Sequence, residues 1–317
     1  MNEITVIRYD QEQHDRWNAF VQKSKNGVFL FFREFMEYHQ DRFEDHSLMF
    51  EKDGELAAIL PASIKDDVLT SHAGLTYGGF LTDTNTKQHT INECLGALIQ
   101  YTKEEGIRKI VYKAIPHVFH RQPAEEDLYI LHNQGATLRD VCASTVINLK
   151  KPLKMTKGRK AQISRAKREG VEIRKTEREE DYREFIELEN KVLSERHATH
   201  AVHTAEELYL LHSRFPDSIH LYGAFYQTKM IAGTVVFEYE DAIHTQYMAS
   251  DETGRVIGAL DYAVSEVIRD YQDRKTWLDF GISTEDHGTV LNEGLISQKE
   301  SFGGRTNIYT VWELTTE

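Results

Sequence analysis

The chain has 317 residues, 40% hydrophobic and 28% charged, which is the composition of a folded globular protein, and its length favours two domains because domains cluster at roughly 100–200 residues. A formal charge of −13 works against broad binding to DNA or any other polyanion, which begins with a surplus of Lys and Arg. No run approaches the ~18 consecutive apolar residues of a membrane span, Met1-Asn2-Glu3-Ile4 lacks the order of a secretion signal, and Cys94 and Cys142 have no metal-ligand spacing; the expectation is a cytoplasmic protein with reduced thiols and no bound metal.

In chain order, Asp10 to Lys25 places Trp17, Phe20 and Val21 at helical spacing, and the aromatic stretch from Phe29 to Tyr38 reads as a second helix. Lys52-Asp53-Gly54 between two β-forming runs predicts a hairpin. Val68 to Ser71 and Leu75 to Leu81 extend that sheet. A helix follows from Thr90 to Glu105 with Ile91, Leu95 and Leu98 on one face, then a strand over Ile107 to Ala114 and a short helix over Asp127 to Asn133.

The second half repeats this order without visible identity to the first. Asp181 to Glu195 reads as a helix with Phe185, Leu188 and Val192 inward, and Thr204 with Glu207 forms a capping box for the next. Three strands follow over Ile219 to Tyr226, Met230 to Tyr239 and Ala242 to Ala249, then a helix from Gly258 to Gln272, a strand at Thr276 to Phe280, a helix from Val290 to Ser301 and a last strand at Asn307 to Glu313. The fold class is α/β with mixed sheets, in two tandem domains, 1–150 and 151–317. Pro152 marks the boundary, and a strictly cationic helix, Lys157 to Gly170, opens the second domain.

Three passages resemble the FemAB/FemX family of peptidoglycan-bridge aminoacyltransferases, members of the GNAT acyltransferase superfamily. The basic helix carries Arg159, Ile163 and Arg165-Ala166 before Gly170; Leu278-Asp279-Phe280-Gly281-Ile282-Ser283 is similar to the family's Asp-Phe-Gly-Gly strand end, with Ile282 in place of one Gly; and Lys299 stands three residues before Phe302-Gly303. In the first half the resemblance rests on Gly74-Leu75-Thr76-Tyr77-Gly78-Gly79. It implies two GNAT-like domains and acyl transfer to an amine, with acyl-CoA as co-substrate and no tightly bound cofactor. The acceptor it implies is a small-molecule or lipid-linked amine of the cell envelope; charged tRNA is the other donor it implies. Two family features are missing: Leu193 to Ile219 leaves no room for a long helical hairpin, and Asp251 to Ala259 departs from the acyl-CoA pyrophosphate loop. A phosphoryl-ligand-binding module without catalysis is a third possibility.

Amide formation needs an amine relieved of its proton, an acyl group held in line and donors for the developing oxyanion. Two parallel strands that part company expose backbone amides for that purpose in GNAT-like folds. The catalytic candidates are Lys299, a cation that offsets charge on the transition state, Asp279, a strand-end carboxylate, and His287 in the loop beyond it. Gly254, Arg255 and Gly258 before a helix, with Lys157, Arg159 and Arg165 of the basic helix, are candidates for the donor's phosphates. His72, Tyr77 and Tyr247 are candidates for the acceptor. His244 and Tyr247 would point to opposite faces of a regular strand. The run His197, His200, His203 lacks the spacing of a helical zinc pair.

Overall fold

The computed structural model describes residues 4–197 and 199–316, so the readings of Met1, Asn2 and Glu3 and of the His197 side chain lie outside the described residues. The chain divides into two compact units. One is Met1–Ala143 with Thr284–Val290 and Ile308–Glu317; the other is Ser144–Ser283 with Leu291–Asn307. A single cut at residue 150 does not describe them, because the C-terminal strand returns to pair inside the first unit, and pairing of that range leaves no local trace in a sequence.

The first unit contains strands β1 (Thr5–Arg8), β2 (Glu44–Asp45), β3 (Leu48–Lys52), β4 (Glu55–Leu60), β5 (Ser63–Lys65), β6 (Val68–Thr70), β7 (Leu81–Thr82) and β8 (Lys109–Lys113). Its helices are α1 (His14–Lys23), α2 (Arg33–Met36), α3 (Gln88–Glu104) and α4 (Glu126–Asn133). Trp17, Phe20 and Val21 are buried on α1 as their spacing predicts, and the Trp17 indole donates to the Phe31 carbonyl at 2.8 Å. The second helix shrinks to the four residues of α2 between single turns, since Phe29, Leu30 and Phe31 bury their side chains without helical periodicity. One sheet runs β1-β3-β4-β7, closed by the expected Asp-Gly hairpin between β3 and β4. Of the strand expected over Leu75 to Leu81, only β7 and a bridge from Gly78 to Ala114 form. Cys94 faces the core from α3, and burial pushes its thiol up to about 12.

The second unit takes the end of β9 (Thr137–Asn148), then α5 (Lys157–Arg168), β10 (Glu172–Thr176), α6 (Glu179–His197), α7 (Ala205–Arg214), β11 (Ile219–Tyr226), β12 (Lys229–Glu238), β13 (Ala242–Ser250), α8 (Glu252–Ile257), α9 (Ala259–Tyr271) and β14 (Trp277–Ile282). A small hairpin, β15 (Thr284–Glu285) and β16 (Val290–Leu291), precedes α10 (Glu293–Glu300) and β17 (Arg305–Thr315). The sheet order is β10-β11-β12-β13-β14-β9, antiparallel except for the parallel pair β13 and β14. The end of β17, Val311 to Thr315, pairs antiparallel with β8 in the first unit.

Side-chain parity separates the two faces of this sheet. Tyr222, Val236, Ile243, Leu278 and Phe280 form one core with Val264, Val267, Ile268 and Tyr271 of α9. Gly233, three positions from Val236, lies on the opposite face, where a Cβ would come within 2.9 Å of the Phe185 ring of α6. Tyr182 and Phe185 of α6 are fully buried, and each contributes about 1.5–3 kcal/mol of burial. The capping box of α7 is present, with Thr204 accepting from Glu207 and Glu207 from Thr204. Helix α5 lies on α9 through Ala166, within a cluster that includes Ile257, Ala259 and Ala263.

Candidate functional site

The parallel pair holds for only three residues, Ala242–His244 beside Trp277–Asp279, after which β13 runs to Ser250 and β14 to Ile282 without a shared ladder. The expected fork is therefore present, and its diverging edges carry backbone groups that seek partners. On its other side β13 shifts register against β12: Val236 faces Thr245 while Val235 faces Tyr247, which makes Gln246 the extra residue of a bulge. The bulge corrects the expectation for His244 and Tyr247. Their partners, Phe237 and Val235, are two apart on β12, so both rings lie on one face of the sheet, the face that α6 covers.

Asp279 lies at the crotch of the fork and is fully buried. Leu278 and Phe280 belong to the α9 core, so period-two alternation turns the carboxylate between them to the opposite face. There it accepts from Ser144 Oγ at 2.5 Å, from His244 Nδ1 at 2.7 Å and from the Gly281 amide at 2.8 Å. Lys299 of α10 is 4% exposed and donates to the carbonyls of Gly281 at 2.9 Å and Ile282 at 2.7 Å, where β14 has left its neighbour. Burial lowers its ammonium to about 8, and the Asp279 charge opposes that shift. Lys299 and Asp279, both candidates from the sequence, thus meet the same strand end at Gly281. His287 is exposed, at 3.2 Å from Asp140 of its own unit.

A second polar group stands on the same face. Tyr247 is buried, with His203 Nδ1 at 2.5 Å from its phenolic oxygen, which also accepts the His203 amide at 3.3 Å. Burial, with Glu189 and Glu207 adding, pushes the phenol up to about 12. Glu189 follows Phe185 by four residues on α6 and so shares its inward stripe. Only 7% exposed, it is pushed up to about 7 by burial. Sequence reading missed Glu189, His203, His244 and Ser144 as members of a site. An acid on an apolar helical stripe was the visible signal for Glu189; the others depend on strand register.

Most of the remaining candidates have structural partners. The segment read as a phosphate loop is helix α8: the Asp251 carboxylate accepts the Gly254 amide at 2.8 Å, and Arg255 donates to the Ser250 carbonyl at 2.7 Å. Gly258 breaks α8 from α9 at φ +79°, a conformation that favours glycine, with the Gln162 carbonyl of α5 at 2.7 Å from where a Cβ would stand. Arg159 pairs with Asp261 of α9, donates to Ser301 Oγ at 2.8 Å and lies over the Phe302 ring. Lys167 reaches Glu266 at 4.0 Å, Arg165 is half-buried, and Lys157 and Lys160 are exposed. In the first unit, His72 is buried beside His39 and Phe43, and burial lowers its imidazole to about 3. Tyr77 is buried among Phe31, Phe119 and Tyr309.

Residues 154–287 match the sequence profile of the acetyltransferase (GNAT) domain. No curated protein matches the chain. Among solved structures the fold is similar to FemX, with a TM-score of 0.69 and 11% identity over 98% of this chain and 96% of that one. It is also similar to the C-terminal domain of a putative lysylphosphatidylglycerol synthetase from Agrobacterium fabrum, with a TM-score of 0.63 and 12% identity over 96% and 92%. A tandem GNAT protein from the clavulanic acid biosynthesis pathway aligns at 0.53 and 11% identity over 99% of each chain. No helix among the described residues is long and apolar enough to cross a membrane. Residues 154–287 thus match a GNAT acetyltransferase domain, and the chain has a fold similar to that of FemX.

Proposed function

We propose that the protein moves an acyl group from acyl-CoA to a primary amine of a cell-envelope sugar, peptide or lipid-linked precursor in the cytoplasm. The observation that carries this reading is the fork of β13 and β14 with a buried acid on the face beside it. A thioester carbonyl entering where the strands diverge meets backbone donors in place of water. Glu189 suits an amine in particular. A carboxyl that burial holds near neutrality ionises when an ammonium arrives, and the Tyr247 hydroxyl with His203 offers further polar contacts to that acceptor. Lys299 and Asp279 sit at the fork itself, where a cation offsets negative charge developing on the acyl oxygen.

Likeness to FemX supports a second donor, aminoacyl-tRNA, and the exposed Lys157 and Lys160 of α5 are placed to meet a phosphate of either carrier. Purified protein is mixed with acetyl-CoA and, separately, with charged tRNA, and thermal shift and transfer to amino-sugar nucleotides are followed. Stabilisation by acetyl-CoA with transfer supports the first donor. Binding of tRNA that weakens steeply with salt favours the second, and stabilisation by neither overturns both in favour of a phosphoryl-ligand-binding module.

A further inference from the structure

Ser144, His244 and Gly281 come from three different strands, β9, β13 and β14, and all donate to one fully buried carboxylate, Asp279. We propose that His244 is the general base of acyl transfer and that Asp279 is the positioning residue that fixes its tautomer and direction. This rests on the acyltransfer reading above. An ionised carboxylate only accepts, so the Nδ1 of a neutral His244 carries its hydrogen toward Asp279, and Nε2 is the basic nitrogen. The carboxylate itself cannot turn away, because Ser144 occupies one oxygen and the Gly281 amide shares the other.

The ring's direction follows from Gly281, which adopts φ +72°; a Cβ built there stands 3.4 Å from His244 Cε1. The Cε1 edge, adjacent to Nε2, thus faces the strand end that leaves the ladder. Lys299 fixes that strand end through the Gly281 and Ile282 carbonyls. Because the bulge puts Tyr247 on the same face, an amine held near Glu189 and Tyr247 lies on the His244 side of the sheet.

The acceptor ammonium loses its first proton to the Glu189 carboxylate, which passes it to solvent. The nitrogen lone pair then forms a C–N bond to the acyl carbon, and His244 Nε2 takes the second proton from that nitrogen. As the adduct collapses, the C–S bond breaks with its electron pair on sulfur, and the imidazolium returns the proton to give a free thiol, the amide and neutral His244. Atoms and charge balance without a further reactant.

The test uses full-length protein, acetyl-CoA and amino-sugar nucleotides, with kcat and KM measured across pH for wild type, His244→Gln, His244→Ala and Asp279→Asn, each first checked for cooperative thermal unfolding. His244→Gln is expected to lose roughly 10²–10⁴-fold in kcat with KM for acetyl-CoA within a few-fold, and to lose the acid limb of the profile. Added imidazole restores part of the His244→Ala rate, which a merely structural histidine would not allow. Side-chain 15N spectra show the Nδ1–H tautomer of His244 in wild type and its loss in Asp279→Asn. Should His244→Ala fail to fold, His244→Gln and the tautomer decide. A His244→Gln enzyme with kcat within about threefold of wild type, a rate loss with unchanged pH profile and no imidazole rescue, or an Nε2–H tautomer in wild type would each overturn the proposal. Wild type that transfers nothing removes the acyltransfer reading and this one together; active wild type with active His244→Gln removes this one alone.

Discussion

Replacing Glu189 with Gln separates the stability cost of a buried acid from everything else that depends on pH. The carboxyl titrates at about 7 in the fold against the ordinary 4.5. Its folded value is raised, so between those two pH values the folded state holds a proton that the unfolded chain has released, and stability falls as pH rises through that window. The shift corresponds to about 3 kcal/mol once both states are ionised, and to under about 1 kcal/mol at pH 5, where the folded carboxyl is still protonated. Glu189→Gln removes that slope while keeping the side chain's size. Urea unfolding of both proteins at pH 5 and pH 8 is expected to show the variant gaining about 2–3 kcal/mol on wild type between the two conditions, with m unchanged. All other titrating groups are common to both chains and cancel in the comparison. An equal difference at the two pH values would show that Glu189 is solvated as an ordinary surface acid, and the acceptor site argued from its burial would fall with it.

Lys299 titrates in the opposite sense. Its folded value is lowered to about 8 from 10.5, so wild type carries the cost of a buried cation below pH 8 and sheds it as pH rises toward 10.5; relative to Lys299→Met, wild type is expected to gain about 2 kcal/mol between pH 7 and pH 10, read by denaturant unfolding. Lys299→Ala, if folded, is expected to lose transfer activity by about 10²-fold or more in a steady-state assay, and full activity would remove Lys299 from the chemistry. Gly258→Ala forces a side chain into a left-handed conformation against the Gln162 carbonyl, and a loss above about 2 kcal/mol is expected in a thermal melt. Arg159→Met leaves the largely buried Asp261 carboxylate unpaired and is expected to cost about 3 kcal/mol, most of which Asp261→Asn in the same chain recovers.

Helix α3 and the capping box of α7 were legible because both are local, a stripe of Ile91, Leu95 and Leu98 in one case and Thr204 with Glu207 in the other. The family likeness was legible too, carried by the residues around Asp279 and Lys299. The segment from Asp251 to Gly258 forms a short helix whose N-cap, Asp251, accepts the Gly254 amide, a cap that residue spacing alone does not distinguish from an anion loop. Glu189 was overlooked although its position four residues after Phe185 is printed in the chain; an acid on that stripe is visible, and its burial is not.

Local patterns, then, determined most of this protein's helices, the hairpin and the fold class, because propensity, capping and periodicity act over a few residues. Which side chains meet was decided only in three dimensions. One extra residue at Gln246 rotates His244 and Tyr247 onto a common face, and Asp279 acquires Ser144 from a strand 135 positions away in sequence. Register and long-range pairing are properties of the folded sheet, since a backbone hydrogen bond carries no information about which residue supplies it.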